Sequence, residues 1–357
     1  MLIHILLIKN FYKHIGSFAF VSPLIKYRNS LKDKGYKIKP FYNVIESLFD
    51  CDILLVENKF LNSLDYNDKK NLLKKIINLN KNIKKIFVDT SDSTGQIKKK
   101  NLIIFDYYWK GQKLKNLNLY KKAHYGGRFF TDFNNKYFKI KDSKELKSDK
   151  IEKKELLKKI KVSWNMGLIN FDLYSSIFHK LHSFLKIDSF FKDPKMLNLN
   201  TPKSRDLSCR LSLNYYRETI KFQRLKIQSL LKNITDTNRV NRKKYFTELN
   251  SSKLSISPFG WGEICVRDFE TFICNSCLVK PDMSLIETWP NYYIKDKSYI
   301  SFNWNMENFN DRLNTILSQN KKIKEISDYG SEIYIKFNLK KESKKFFVER
   351  FINLIKK

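Results

Sequence analysis

Short apolar runs separated by amphipathic helical patterns recur from the first residue of this chain, and nothing else constrains its fold as tightly. LIHILLI reads as a buried first strand. In SPLIKYRNSLKDKGYKI, Ser22-Pro23 is expected to open a helix and Gly35 to close it, with YKIKPFY starting the next strand. CDILLVE is another buried strand, YNDKKNLLKKIINLN a lysine-rich amphipathic helix, and KKIFVDT a strand. This β-α-β-α-β series predicts a parallel sheet covered on both faces, since strands apolar at successive positions need shielding on both sides. NLIIFDYYWKG then reads as a further strand and AHYGGRFFTDF as a glycine-rich turn with an aromatic rim.

Residues 141–161 form a charged helix or linker, and SWNMGLINFDLYSSIFHKLHSFLK has the pattern of an apolar helix. KDPKMLNLNTPKSRD is a Pro/Asn loop that places a domain boundary near residue 195. A second α/β unit follows, with DLSCRLSLN as a strand, YYRETIKFQRLKIQSLLKN as a helix, and KYFTELNSSKLSISPFG as a helix end and strand. At 357 residues two domains are the natural division. The expected limits are 1–195, 196–340 and a final amphipathic helix over 341–357 with no obvious partner in its own domain.

Lys+Arg outnumber Asp+Glu by 69 to 36, a formal charge of +33, which suits nucleic acid, an anionic membrane face or a phosphate-bearing substrate. The excess is mostly lysine and is spread along the chain, so solvated surface accounts for most of it, and nucleic acid is not expected. Peripheral contact with an anionic membrane stays open. Five cysteines, with one CxxC pair at Cys274 and Cys277 in an apolar run, fit small core residues in a reducing cytoplasm better than a four-ligand zinc site. No run of eighteen apolar residues occurs, and MLIHILLI is too short to span a bilayer.

The chain changes its habits at SPFGWGEICVRDFETFICNSCLVKPDM, where lysine thins out and two glycines flank a tryptophan. A strand ending in that glycine loop is followed by a helix start carrying Arg267 and Glu270, three apart and therefore on one edge. Loop glycines beside a helix N-terminus let amides approach an anion, Arg267 can clamp a phosphate, and Glu270 can accept from a sugar diol. The plainer alternative is an ordinary Arg267–Glu270 ion pair, stabilising by about 0.2–0.5 kcal/mol.

The block SISPFGWGEICVRDFETFICNSCLVKPDMSLIETWPNYY resembles the donor-binding half of GT-B glycosyltransferases, in particular exostosin-like and bacterial surface-polysaccharide enzymes. The resemblance implies two Rossmann-like domains facing an interdomain cleft, with a last helix crossing back to the first. It implies Glu270 as the ribose residue, Arg267 as a phosphate residue, and Gly260 and Gly262 as close-approach glycines. Lys280 and Asp282 would border the pocket, and Arg210 in SCRLSLNYYRETIKFQR would be a phosphate partner across it. Where those enzymes have a small Gly-Cys or Gly-Thr before the last strand, this chain has Asn-Ser-Cys; Glu263 and Glu270 are one residue closer than the paired glutamates of many retaining members, so Glu263 receives no role. Candidate bases are Asp89 and Asp92 in the DTSDSTG loop and His124, each of which also reads as a cap or a buried structural residue. The expectation is a transferase moving a sugar from a nucleotide-diphosphate donor to a glycan or lipid-linked acceptor, with no metal and no cofactor beyond the donor. A basic polyanion-binding protein on an α/β scaffold is the alternative.

Overall fold

The computed structural model describes residues 1–175, 193–197, 201–339 and 341–356. Two parallel sheets organise them. The first is built from β1 (Leu2–Leu6), β2 (Lys37–Phe41), β3 (Ile53–Glu57), β4 (Lys84–Asp89), β5 (Tyr107–Lys110) and, beyond the short β6 (Gln112–Leu114), β7 (Ile160–Val162). Its order is β2-β1-β3-β4-β5-β7, parallel throughout, with the order reversing between β1 and β3. The second contains β8 (Arg205–Ser208), β9 (Ser252–Ile256), β10 (Cys277–Pro281) and, after β11 (Ile286–Thr288), β12 (Tyr299–Phe302), in the order β12-β10-β9-β8. The chain thus forms two Rossmann-like units whose strand ends face a shared cleft.

Two expectations change where tertiary burial overrides local signals. The helix expected to open at Ser22-Pro23 spans Ile15–Lys26, with Pro23 inside it. Phe18, Phe20, Val21 and Leu24 are all buried, so the core recruits the turns upstream, and Ser22 Oγ donates to the Phe18 carbonyl at 2.6 Å. The stretch NLIIF lies in the helix Lys99–Ile104 and its C-cap rather than in a strand. Leu102 and Phe105 are buried while Ile103 is exposed, a three-residue spacing that only a helix satisfies. The apolar helix expected after residue 163 is loop and the single turn Met166–Leu168 as far as Tyr174; Ser175 is helical, and the remainder lies outside the described residues.

The two units are joined at several places. β6 pairs antiparallel with β11, bringing Gln112 opposite Thr288. The helix Phe129–Phe138 packs its aromatic face on the second unit, Phe130 against Phe259, Phe133 against Trp304 and Phe138 against Phe222, with ring centroids 4.6–5.7 Å apart. The final helix Glu342–Lys356 crosses back to the first unit, where Phe347 meets Tyr27 and Trp164 and Phe351 meets Tyr36. One apolar cluster therefore runs through both units, from Ile5 and Phe20 to Phe269 and Phe351.

Candidate functional site

Beyond the carboxyl ends of the two sheets, where open α/β sheets place their ligands, the cleft holds two adjoining hollows. The larger, of about 540 Å³, is lined by five arginines, Arg210, Arg224, Arg239, Arg242 and Arg267, and by only two carboxylates, Glu270 and Asp92. The smaller, about 50 Å³, lies against Asp89 to Asp92, Gln112 and Asn165 of the first unit. Asp92, Met166 and Ile264 line both.

The arginines differ in what already holds them. Arg210 is engaged by a bidentate pair with Glu248, at 2.8 and 2.7 Å, and by Asp236 at 2.5 Å. Glu248 in particular holds its guanidinium more firmly charged than usual. Arg242 donates to Glu270 at 3.1 Å and otherwise to the carbonyls of Phe171, Asp172 and Leu173. Arg239 is exposed.

Arg224 and Arg267 are the exceptional pair. Arg224 is buried, donates to the carbonyls of Phe259 and Ser212, and lies 5.1 Å from the Tyr215 ring; burial pushes its pKa down. Arg267 donates to the carbonyls of Ile256 and Arg210, and its Nε has no partner. Among the described residues neither has a carboxylate within 4.0 Å, whereas Arg210, Arg242 and Lys280 of the same unit are each paired with one. The helix Val266–Ile273 begins at the same wall; its Asp268 amide donates to the Cys265 carbonyl and the Cys265 amide to the Asp268 carboxylate, which leaves the Val266 and Arg267 amides for a ligand. Two unneutralised guanidiniums and a helix N-terminus in one hollow form an anion site.

On the carboxylate side, Glu270 is buried, and burial raises its pKa against the pull of Arg242. It makes no ion pair with Arg267, so the plain i,i+3 pairing does not form; Arg242 takes that place. Asp92 receives no hydrogen bond or ion pair on its carboxylate from any described residue. Burial raises its pKa despite Arg128, Lys59 and Lys110 nearby.

The remaining sequence candidates are held by other partners or lie off the larger hollow. Asp89, at the end of β4, is bound by Lys110 at 2.7 Å, Tyr108 at 2.6 Å and Ser91 at 2.5 Å. Burial opposes its ionisation, yet Lys110 keeps its pKa below the usual carboxylate range. It is an ion-paired anchor with no free oxygen to offer a substrate. His124 is buried off the cleft between Asp132 and the Leu119 carbonyl. Lys280 does not border the pocket: it is fully buried against Asp268 at 3.1 Å and over the Phe259 ring. Asp282 lies outside it too, capping Ser284 and pairing with Lys295. Arg210, though at the wall, is already neutralised. Gly260 lines the hollow, but its amide donates to the Gly262 carbonyl. Gly262 is required for a different approach, since a Cβ there would overlap the Asp92 carbonyl oxygen.

Arg224 and Arg242 were not identified from the sequence. Arg224 left one signal, a charge on the Ile220–Gln223–Ile227 buried stripe of its helix. Arg242 left none, because its partners are distant in sequence. Cys274 and Cys277 are buried free thiols, and among the described residues no group of three or more His, Cys, Asp or Glu side chains is placed to hold a metal ion. No helix among them is long and apolar enough to cross a membrane.

No protein-family model matches the chain, and no curated protein does. Solved structures do. Anabaena Alr3699/HepE in complex with UDP-glucose is 9% identical with 99% of both chains covered and a TM-score of 0.43. An alpha-glucosyltransferase in complex with UDP and a 13-mer DNA is 11% identical over 100% of both, at 0.41. A glycosyltransferase from Rickettsia africae ESF-5 is 9% identical over 99% of this chain and 98% of that one, at 0.43. These likenesses are distant, and the chemistry of the cleft rests on its own residues.

Proposed function

We propose that the chain is a glycosyltransferase that moves a sugar from a nucleotide-diphosphate donor to an acceptor hydroxyl. The observation that carries this reading is the pair of guanidiniums, Arg224 buried and Arg267 half-buried, without carboxylate partners in a hollow whose opposite wall holds an unpaired carboxylate, Asp92. A buried unpaired cation is costly, and an anionic ligand removes that penalty.

In this reading the diphosphate lies against Arg267, Arg224 and the first amides of the Val266–Ile273 helix, and the ribose hydroxyls donate to Glu270, which Arg242 orients. The acceptor enters from the first unit. Asp92 takes the proton from its hydroxyl as the new oxygen–C1 bond forms; the C1–oxygen bond to the diphosphate breaks, and the electron pair leaves with the diphosphate. The arginines and helix amides stabilise the charge developing there. The acceptor in this proposal is a glycan or a lipid-linked glycan of the cell surface. The scattered lysines suit contact with the anionic cytoplasmic face of a membrane where such an acceptor would lie.

Calorimetry with UDP, GDP, dTDP and CMP tests the reading on wild type and on Arg267→Gln and Glu270→Ala. Saturable binding of one nucleotide family, weakened in both variants, supports it. Binding of nucleic acid with steep salt dependence, and of no nucleotide, overturns it in favour of a polyanion-binding scaffold.

A further inference from the structure

Glu263 is fully buried and has no cation within 4.0 Å among the described residues. Its Oε2 accepts from the Thr94 amide at 3.2 Å, Thr94 Oγ1 at 2.7 Å and Gln112 Nε2 at 2.9 Å, all in the first unit. Its Oε1 is buried without a partner, and burial raises its pKa. Gln112 Nε2 also donates to the carbonyl of Asp92, at 2.6 Å. The neighbouring contacts run the same way. Gly262 leaves room for the close approach of Asp92, and Arg128 Nε donates to the Trp261 carbonyl.

A buried carboxyl with half its acceptors unused is a poor way to glue two surfaces, because an apolar residue would fill the space at lower cost. What it supplies instead is direction. Thr94 lies two residues after Asp92, and Arg267 lies four residues after Glu263. A single side chain therefore ties the loop carrying the unpaired carboxylate to the loop leading into the anion-binding helix. We propose that Glu263 is a positioning residue: it sets the register of the donor hollow against Asp92 by holding Thr94 and Gln112, and takes no part in proton transfer itself. The consequence for turnover rests on the transferase reading; the latch does not.

The test uses the full chain as wild type, Glu263→Gln, Glu263→Ala, Gln112→Ala and the double variant. Glutamine keeps one oxygen for the three donors, so it should preserve the latch. Amide exchange reads the latch directly. Glu263→Ala should speed exchange across residues 92–96 by about tenfold or more, and Glu263→Gln should not. For the nucleoside diphosphate that binds best, Glu263→Ala should leave Kd within about threefold, and with the sugar conjugate of that nucleotide as donor it should lower kcat roughly 10²-fold, the scale of a misplacement near 1 Å. Glu263→Gln should restore most of kcat, and the Gln112→Ala and Glu263→Ala losses should be less than additive.

Equal loss in Glu263→Gln and Glu263→Ala would overturn the proposal, since it would mark a proton-transfer role. So would unchanged exchange at 92–96, or kcat and Kd failing together. If Glu263→Ala does not fold, Gln112→Ala carries the same comparison from the other side of the contact. If wild type neither binds a nucleotide nor transfers a sugar, the transferase reading fails, while the exchange experiment still decides the latch.

Discussion

The carboxyl ends of the two sheets meet the same cleft with opposite chemistry. On the first sheet the strand ends carry Glu57, Asp89 and Asp92, and the one buried lysine, Lys110, is consumed by Asp89. On the second they face five arginines, of which Arg224, Arg267 and the exposed Arg239 have no carboxylate within 4.0 Å among the described residues. The difference shows that net charge is a poor guide to function in this chain. The +33 excess is mostly surface lysine, whereas the charges that matter are a few buried or half-buried groups left without an opposite charge. An unpaired buried charge is tolerated when a ligand completes it, and here the two signs are segregated to opposite walls.

The sharpest way to break that division is Asp92→Asn. If the first wall does chemistry and the second binds, turnover falls by about 10²–10⁴-fold with donor affinity unchanged. A loss of affinity in the Kd measurement would erase the distinction. Next in size is Arg210→Ala, which strands Glu248 and should destabilise the fold by about 3 kcal/mol in denaturant titration, the lower end for breaking a buried pair. Among the folded molecules, nucleotide affinity should hardly change.

Arg224→Gln and Arg267→Gln should do the reverse. Each removes charge-assisted bonds to the diphosphate, and Kd should weaken by about 10–10²-fold by calorimetry with little loss of stability. Equal behaviour of Arg210 and Arg267 would mean that pairing, as seen in the structure, does not decide function. The smallest effect concerns pH. Burial raises the pKa of Asp92, so its ionisation penalises the fold above that pKa, and stability from this group is lost as pH rises through it. Asp92→Asn should therefore raise Tm modestly at neutral pH, with the gain vanishing under acid. In wild type the acidic limb of the pH–rate profile should lie above the ordinary aspartate value near 3.9.

Much of the fold was legible because its signals are local. The strands Leu2–Leu6, Ile53–Glu57, Lys84–Asp89 and Cys277–Pro281 are short apolar runs bounded by polar ones, and each lies where such runs predict. The misplaced helix start at Ser22-Pro23 shows the limit, since a capping pair yields to a buried aromatic face. At the site, Arg267, Glu270 and the two glycines were visible because one helix start gathers them within eleven residues. Asp92 was visible only as one of three candidates. What separates it from Asp89 is Lys110, which pairs with Asp89 across neighbouring strands, and what removes His124 is burial against Asp132.

By itself, then, the amino-acid sequence determined the layers, the two units and the helix start that faces the ligand, since periodicity and short-range spacing are properties of neighbouring residues. Tertiary structure decided which charges are free. Arg210 finds Glu248 and Asp236, Lys280 finds Asp268, Glu270 finds Arg242, and Glu263 reaches Thr94 across the domain junction, over separations of 12 to 169 residues. Whether a buried ion is a structural pair or a waiting site depends on what folding brings within about 4 Å of it, where Coulomb attraction in a low-dielectric interior is strong enough to matter.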